Sequence, residues 1–262
     1  NIGVYGSRAA NFSVQNSDLL LCIGSRLDTR VTGGVPKSFA RGAYKIVVDV
    51  DKNELNKKRG VEINIKVNED INDFVSNYLK IKKFKIKKNK WLDQCVKWKK
   101  KYLITNENHK DKKNKINPYK FITNLSDVLD KKDIIISSTG AHLTWVMQSF
   151  KVKYGQKLYS AFGNSPMGYA LPASIAASLI KNKKKIICLD GDGSLLLSIQ
   201  ELNTVKKLNL PIKIFIFNNN GYGIIKQFQE LYLNKRYQAT GKEVSNLNFK
   251  KIASGFGINY NN

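Results

Sequence analysis

Zinc sites, disulfides and membrane spans are what this sequence argues against first. Its 262 residues include only three cysteines and two histidines. Cys22, Cys95 and Cys188 lie far apart, and no CxxC or Cys/His pair offers zinc-ligand spacing. They read as buried thiols of a reducing cytoplasm. No apolar run approaches the length of about 18 residues that a spanning helix needs, so no membrane partner is expected. No basic-then-apolar leader opens the sequence. The start at Asn1 without a methionine, and the end at Asn262 just after a Gly-rich turn, read as a piece of a longer protein. There is no GxxxxGKS/T, which excludes a P-loop.

Acidic residues are scarce as well. Forty-five Lys and Arg face twenty Asp and Glu, a formal net charge of +25. Such a balance invites a nucleic-acid partner. The lysines, however, come with many asparagines and isoleucines throughout, a bias of the whole chain. The densest block, KIKKFKIKK at 80–88, has no motif around it. It reads as a solvated connecting segment, the alternative being an anion- or nucleic-acid-binding patch. Charge does not decide function here, and no nucleic acid is expected.

What is present is core. With 42% hydrophobic residues the chain buries one large domain or two ordinary ones. DLLLCIG (18–24) and AYKIVVDV (43–50) read as short buried strands separated by the polar loop SRLDTRVTGG. This first module fades near Lys80. Residues 81–117 are Lys/Asn-rich and carry WLDQCVKWKKKYL, where Trp91, Cys95, Trp98 and Tyr102 share one helix face. That stripe is expected to pack, as a docking helix within an inter-domain linker. From Pro118 alternation resumes. A helix at 119–129, the strand DIIISS (133–138), the loop-to-helix STGAHLTW, the strand LYSAF (158–162) and the helix ALPASIAASLI come first. The strand KIICLD, the helix LLLSIQELNTVKKL and the strand PIKIFIFN follow. Both modules are expected to be α/β, with doubly wound parallel sheets.

The stretch CLDGDGSLLLS (188–198) carries the chemistry. Asp192 is expected at a strand end between Gly191 and Gly193, with Ser194 capping the helix that follows. NNNGYG (218–223) ends the next strand, and a right-handed crossover makes the two strands parallel neighbours. Asp192 and Asn219 then meet at the carboxyl edge of the sheet, where ligands of open α/β folds bind. One carboxylate, one amide oxygen and a turn carbonyl suit Mg²⁺, which completes its octahedron with water and phosphate oxygens. The N–H groups that start the Leu195 helix would receive the same phosphates. An isolated GDG is commonly just a turn. Followed at this spacing by NN, it reads as a metal-bridged diphosphate site.

GDGSLLLSIQELNTVKKLNLPIKIFIFNN resembles the thiamin diphosphate fingerprint. YGSRAANFSVQNSDLLLCIGSRLDTRVTGG, PMGYALPASIAASL and NNNGYGIIKQFQ resemble segments of one branch of that family, the acetolactate synthase (acetohydroxyacid synthase large-subunit)-like enzymes. The resemblance implies a middle nucleotide-binding-like domain over 1–80 and a thiamin diphosphate domain, truncated, over 118–262. It implies Mg²⁺ on Asp192, Asn219 and the Gly221 carbonyl. Diphosphate oxygens would be held at Gly191, Gly193 and Ser194, at Ala141-His142 and at the Tyr222-Gly223 turn. Met167 would lie under the bent cofactor, and the Ser165 carbonyl would accept from its amino group. FAD is raised as a non-redox ligand near Arg26, Arg30 and Asp49, a structural Arg/Asp loop being the alternative. Without the motif, Met167 would read as a core methionine and His142 as a histidine satisfied by hydrogen bonds; His109 reads as bland.

The implied reaction is decarboxylation of a 2-keto acid, pyruvate in the first instance, and joining of the remainder to a second carbonyl compound. In branched-chain amino acid biosynthesis that product is acetolactate. The catalytic glutamate of the family belongs to an N-terminal domain absent from this sequence, and Glu201 is not that residue. No catalytic side chain is therefore expected here, and the active site is expected at the interface with a second copy of the full-length chain. Gln227-Phe228-Gln229 stands where such synthases carry QWQ, and Ile224 where a methionine is common. A non-ligating decarboxylase, or a carboligase with another donor or acceptor, is the rival enzyme reading. A non-catalytic cofactor-binding or nucleic-acid-associated protein is the rival from another class.

Overall fold

The strand pairings described, within one three-stranded and one four-stranded sheet, are all parallel, and the residues between these strands are spent on crossovers. The computed structural model describes residues 1–81, 89–105, 115–182, 184–240 and 247–261. Most of the basic block at 80–88, and His109, lie outside the described residues. The chain divides into two units, Asn1–Asn106 and Glu107–Asn262.

The first unit is a three-stranded sheet in the order β1 (Leu19–Ile23), β2 (Tyr44–Asp49), β3 (Ile65–Asn68). Its core joins Cys22, Leu27, Phe39, Val47 and Leu55. The Arg8–Gln15 helix starts at Ser7, whose hydroxyl accepts from Ala10 N at 3.2 Å. Its Gln15 amide then pins the loop leading into β2, donating to Ser38 O at 2.7 Å and accepting from Ala40 N at 3.0 Å. The aromatic stripe lies on the Lys90–Lys101 helix and its cap Tyr102. Phe12 stacks on Trp98 at 5.7 Å and on Tyr102 at 5.2 Å, and the Ser13 hydroxyl donates to Cys95 Sγ at 3.4 Å. Within this unit the stripe is thus a packing face. Cys95 stays half-exposed, so only Cys22 and Cys188 are buried thiols.

The second unit has the order β5-β4-β6-β7, with β4 at Ile134–Ser137, β5 at Lys157–Tyr159, β6 at Ile186–Gly191 and β7 at Ile212–Phe217. Side chains of β4 and β6 alternate strictly between two cores, because successive strand residues face opposite ways. Ile134, Ile136, Ile186 and Cys188 pack with Leu171 and Ile175 of the Ala170–Ile180 helix, and with Leu202 and Val205 of Glu201–Lys207. Ile135, Ile187 and Leu189 pack on the other face with Ile122 and Leu125 of Pro118–Val128 and Val146 of Ala141–Ser149. Helices on both faces of a parallel sheet make this unit doubly wound, as expected.

Two local expectations fail. The stretch 195–208 is not one helix. A turn at Asp192–Leu195 passes through a 3₁₀ segment, Leu196–Ser198, before Glu201–Lys207. Within that segment Leu197 comes close to the Gly168 turn, where a Cβ would stand 2.9 Å from Leu197 Cβ. Ser194 is also not the helix cap. Gly191 holds that position, and Ser194 already lies inside the first turn.

The Phe12 contacts give the first prediction. Phe12→Ala removes both stacked pairs, each worth about 0.5–1.5 kcal/mol beyond burial. Urea denaturation should register a loss of about 2 kcal/mol, with tryptophan emission shifted to the red. Unchanged emission would mean that Trp98 is not held by Phe12.

Candidate functional site

β6 and β7 end level, with Gly191 opposite Phe217 in the register. The two residues that matter next, Asp192 and Asn219, therefore leave the sheet at the same edge. The Asp192 carboxylate accepts from Gly221 N through Oδ2 at 2.9 Å. The end of the Asn219 amide lies 2.8 Å from Gly221 O and 3.0 Å from Asp192 Oδ1. With NH₂ at that end, both contacts are hydrogen bonds. With oxygen there, three oxygens converge without a proton between them, an arrangement that a cation reconciles.

The spacing can be checked against such an ion. Adjacent ligands on an octahedral Mg²⁺ with bonds of 2.0–2.1 Å stand about 2.9 Å apart, the bond length times √2. The 2.8 and 3.0 Å contacts, hydrogen bonds with NH₂ at that end, are close to that edge, so turning the amide over would offer its oxygen at a compatible spacing. The donor set is hard and all-oxygen, with one carboxylate, so the residues present fit Mg²⁺. Among the described residues no cluster of three His, Cys, Asp or Glu competes for a metal.

Glycines leave room for rings here. A Cβ on Gly193 would stand 2.4 Å from Tyr222 Cε1, so the Tyr222 ring lies directly against the GDG turn. A Cβ on Gly140 would meet His142 Cε1 at 2.7 Å, and one on Gly191 would meet the same ring at 3.3 Å. His142 is buried, stacked on Phe217 at 5.7 Å and 8°, with no hydrogen-bond partner for Nε2. Burial lowers its pKa to about 4, against the upward pull of the Ser138 backbone.

The hydroxyl of Ser194 is turned inward. It accepts from Gly168 N at 2.9 Å and shares a 2.7 Å hydrogen bond with Ser138 Oγ. It ties the loop after Met167 to the GDG turn, and no side chain caps the Asp192–Leu195 turn. Met167 itself is 37% exposed, so it is no core methionine. Ser165, two residues before it, sits at a φ of +48° with its N–H on Ala161 O at 2.7 Å. Ala141 begins the His142 helix behind Gly140, and Gly223 begins the helix after Tyr222, its N–H on Gly221 O at 3.2 Å. Sequence reasoning missed Ser138 and Asp190. Asp190 is fully buried, and burial pushes it up to about 6 against the hydroxyls of Ser194 and Ser138 and the Gly191 N–H.

At the carboxyl edge of the first unit, Arg26 and Arg59 both pair with Glu54, Arg26 at 3.4 Å. Arg59 senses Arg26, Asp49 and Asp28, which places Asp49 in the same charge cluster. Arg30 lies on the Thr29–Thr32 turn, where its N–H donates to the capping Asp28 at 2.9 Å. Arg59, ten residues after Asp49 and inside no motif, was not foreseen.

The two buried titrating groups act in opposite senses. The His142 contribution is present above pH 6.5 and lost as pH falls toward 4, because the unfolded chain takes the proton first. The Asp190 contribution is present below its ordinary 3.8 and lost as pH rises through about 6. His142→Phe should leave only the second, so acidification from pH 6.5 to 4 should destabilise the variant less than the parent in urea titrations at both pH values. Parallel losses would contradict a buried neutral His142.

Residues 138–261 match the family described as "Thiamine pyrophosphate enzyme, C-terminal TPP binding domain", and residues 1–77 match "Thiamine pyrophosphate enzyme, central domain". The chain is 35% identical over 263 residues to an acetolactate synthase large subunit of Cyanidium caldarium, covering 98% of this chain and 44% of that protein. It is 31% identical to the acetolactate synthase isozyme 2 large subunit of Escherichia coli K12, with 98% and 45% covered. To the large subunit of Lactococcus lactis it is 30% identical, with 98% and 44% covered. The chain thus spans under half the length of these relatives. By both matched segments, which meet the fold and the site just described, the chain belongs to the thiamine pyrophosphate enzymes.

Proposed function

We propose that the protein catalyses a thiamin diphosphate- and Mg²⁺-dependent decarboxylation of a 2-keto acid, pyruvate in the first instance, with carboligation to a second carbonyl compound, as acetolactate synthases do. The convergence of the Asp192 carboxylate, the Gly221 carbonyl and the Asn219 amide at one sheet edge carries the reading. Similarity to acetolactate synthase large subunits over 98% of this chain supports the substrate class and a place in branched-chain amino acid biosynthesis.

Bound thiamin diphosphate supplies a carbon nucleophile and an electron sink. The chain's own residues bind and orient it. Asp192, Asn219 and Gly221 hold the metal, while Gly193, the Ser194 N–H, Ala141-His142 and the Tyr222-Gly223 turn line the diphosphate. Met167, 37% exposed, would offer its apolar side chain to the cofactor, and the Ser165 carbonyl would accept from the cofactor's amino group. The proton that starts the chemistry is moved by a group outside this chain. A second copy of the full-length chain completes the site, and the exposed Ile224, Phe228, Leu231 and Tyr232 on the Gly223–Tyr232 helix suit such a contact. FAD, where present, would bind beside Arg26, Asp49 and Arg59. Three free cysteines fit a reducing compartment such as the cytoplasm.

In the full-length protein, Asp192→Ala should weaken Mg²⁺-dependent thiamin diphosphate binding, read by calorimetry, by more than the 10–100-fold typical of an outer metal partner. With carbon-labelled pyruvate the parent should form acetolactate by NMR, and the variant none. Acetaldehyde alone from the parent would replace carboligation by simple decarboxylation. Phe228→Trp should change the product ratio between two acceptor keto acids differing by one methylene, within the 10–200-fold that one such group is worth. An unchanged ratio would remove Phe228 from acceptor selection.

A further inference from the structure

The segments that feed β2 and β3 in the first unit enclose a cavity of about 400 Å³. Its walls are Lys37, Phe39 and Arg41 before β2, Lys45 at its start, and Gly60, Val61 and Glu62 before β3, Gly60 directly following Arg59. Lys45 lies about 13 Å from Asp49 along the strand, at about 3.3 Å per residue. We propose that this cavity binds a small anion bearing a phosphate or carboxylate group.

Lys45 carries the argument. It stands two residues before Val47, hence on the same face of β2, and that face is the core. The residue is 5% exposed. Its ammonium has three donors, and one is used, to Ala43 O at 3.0 Å. Among the described residues it has no ion pair, and neither do Lys37 and Arg41. Glu62 lines the same cavity but pairs with none of them. Three cations against one carboxylate leave the cavity at +2. A buried ammonium held by one carbonyl is costly unless a counter-charge reaches it.

The rest of the lining suits such a counter-charge. The Arg41 guanidinium offers a planar fork for two oxygens of one group, and the exposed Lys37 a point charge at the mouth. Phe39 and Val61 form an apolar wall for the body of a ligand. The volume exceeds one phosphate and falls in the range of about 300–1,000 Å³ common for small-molecule sites. Nothing here draws on the cofactor edge of the second unit, so the inference stands apart from the proposed reaction.

The test uses inorganic pyrophosphate on the full-length protein, in EDTA and in the Asp192→Ala background, so that the metal-bridged site takes no part. Calorimetry should give saturable binding that sodium chloride of equal ionic strength does not reproduce. Arg41→Gln, a surface change that spares the core, should weaken it about tenfold, the worth of one charge-assisted hydrogen bond. Lys45→Met should abolish it, while Arg26→Gln, after the carboxyl end of β1 and outside the lining, should leave it unchanged. No saturable binding would overturn the proposal. So would binding that survives Arg41→Gln and Lys45→Met, or binding lost on Arg26→Gln, because the anion would then sit elsewhere.

Discussion

The pairing of β6 with β7 is the constraint on which the cofactor edge depends. The register sets Asp190 opposite Ile216 and Gly191 opposite Phe217, so the strands end together and release their two turns at one height. A slip of one residue would move the Asn218–Gly221 turn by about 3.3 Å along the sheet and reverse every β7 side chain between the faces. Contacts at 2.8–3.0 Å among Asp192, Asn219 and Gly221 could not survive that. Burial prevents the slip. Ile186, Ile187, Cys188 and Leu189 are all at most 1% exposed and divided between two cores, so each is committed to its face.

A second consequence concerns which carboxylate reaches the edge. In a continued strand, residues 190 and 192 would point the same way, because the side-chain period is two. The chain instead enters helical conformation after Gly191. Asp190 stays beneath the sheet end, fully buried, while Asp192 swings toward the Asn218–Gly221 turn. Both carboxylates are buried, Asp192 at 5% exposed, but they take different partners: Asp190 accepts from Gly191 N and Asp192 from Gly221 N, each at 2.9 Å.

Much of this was legible because it rests on local patterns. Apolar runs marked six of the seven described strands, although β1, expected to be buried, keeps Leu19 and Leu21 exposed, and ALPASIAASLI matches the Ala170–Ile180 helix end to end. The GDG and NN turns were legible because a parallel crossover leaves little choice about where two consecutive strands finish. What stayed hidden depends on partners far along the chain. The β3 segment IKVN alternates weakly and is mostly exposed, paired along one edge with β2 and tied to the Lys52–Asn56 helix by Lys66 Nζ donating to Asn56 Oδ1 at 3.2 Å. Ser194 looked like a cap because Ser at a helix start usually is one; Ser138 and Gly168, 56 and 26 residues away, claim its hydroxyl instead. The 3₁₀ segment at 196–198 carries no Gly or Pro that would mark a break in the sequence.

The two glycine contacts show why chemistry and fold are hard to separate at this edge. Gly193 lacks a side chain so that Tyr222 can lie against it, and Gly140 so that His142 can turn back toward the sheet. Each ring comes from the loop or helix start beside a different strand, β7 and β4, and each closes on the turn after β6. The GDG turn is therefore clamped from both sides before any ligand arrives. A clamped turn suits a metal with strict octahedral demands, because its backbone need not be ordered when the ion binds. The same clamp makes the site intolerant. A methyl group at Gly193 would displace the Tyr222 ring and, with it, the turn that carries Asn219 and Gly221. A substitution touching no ligand would thus reach the metal position through a ring.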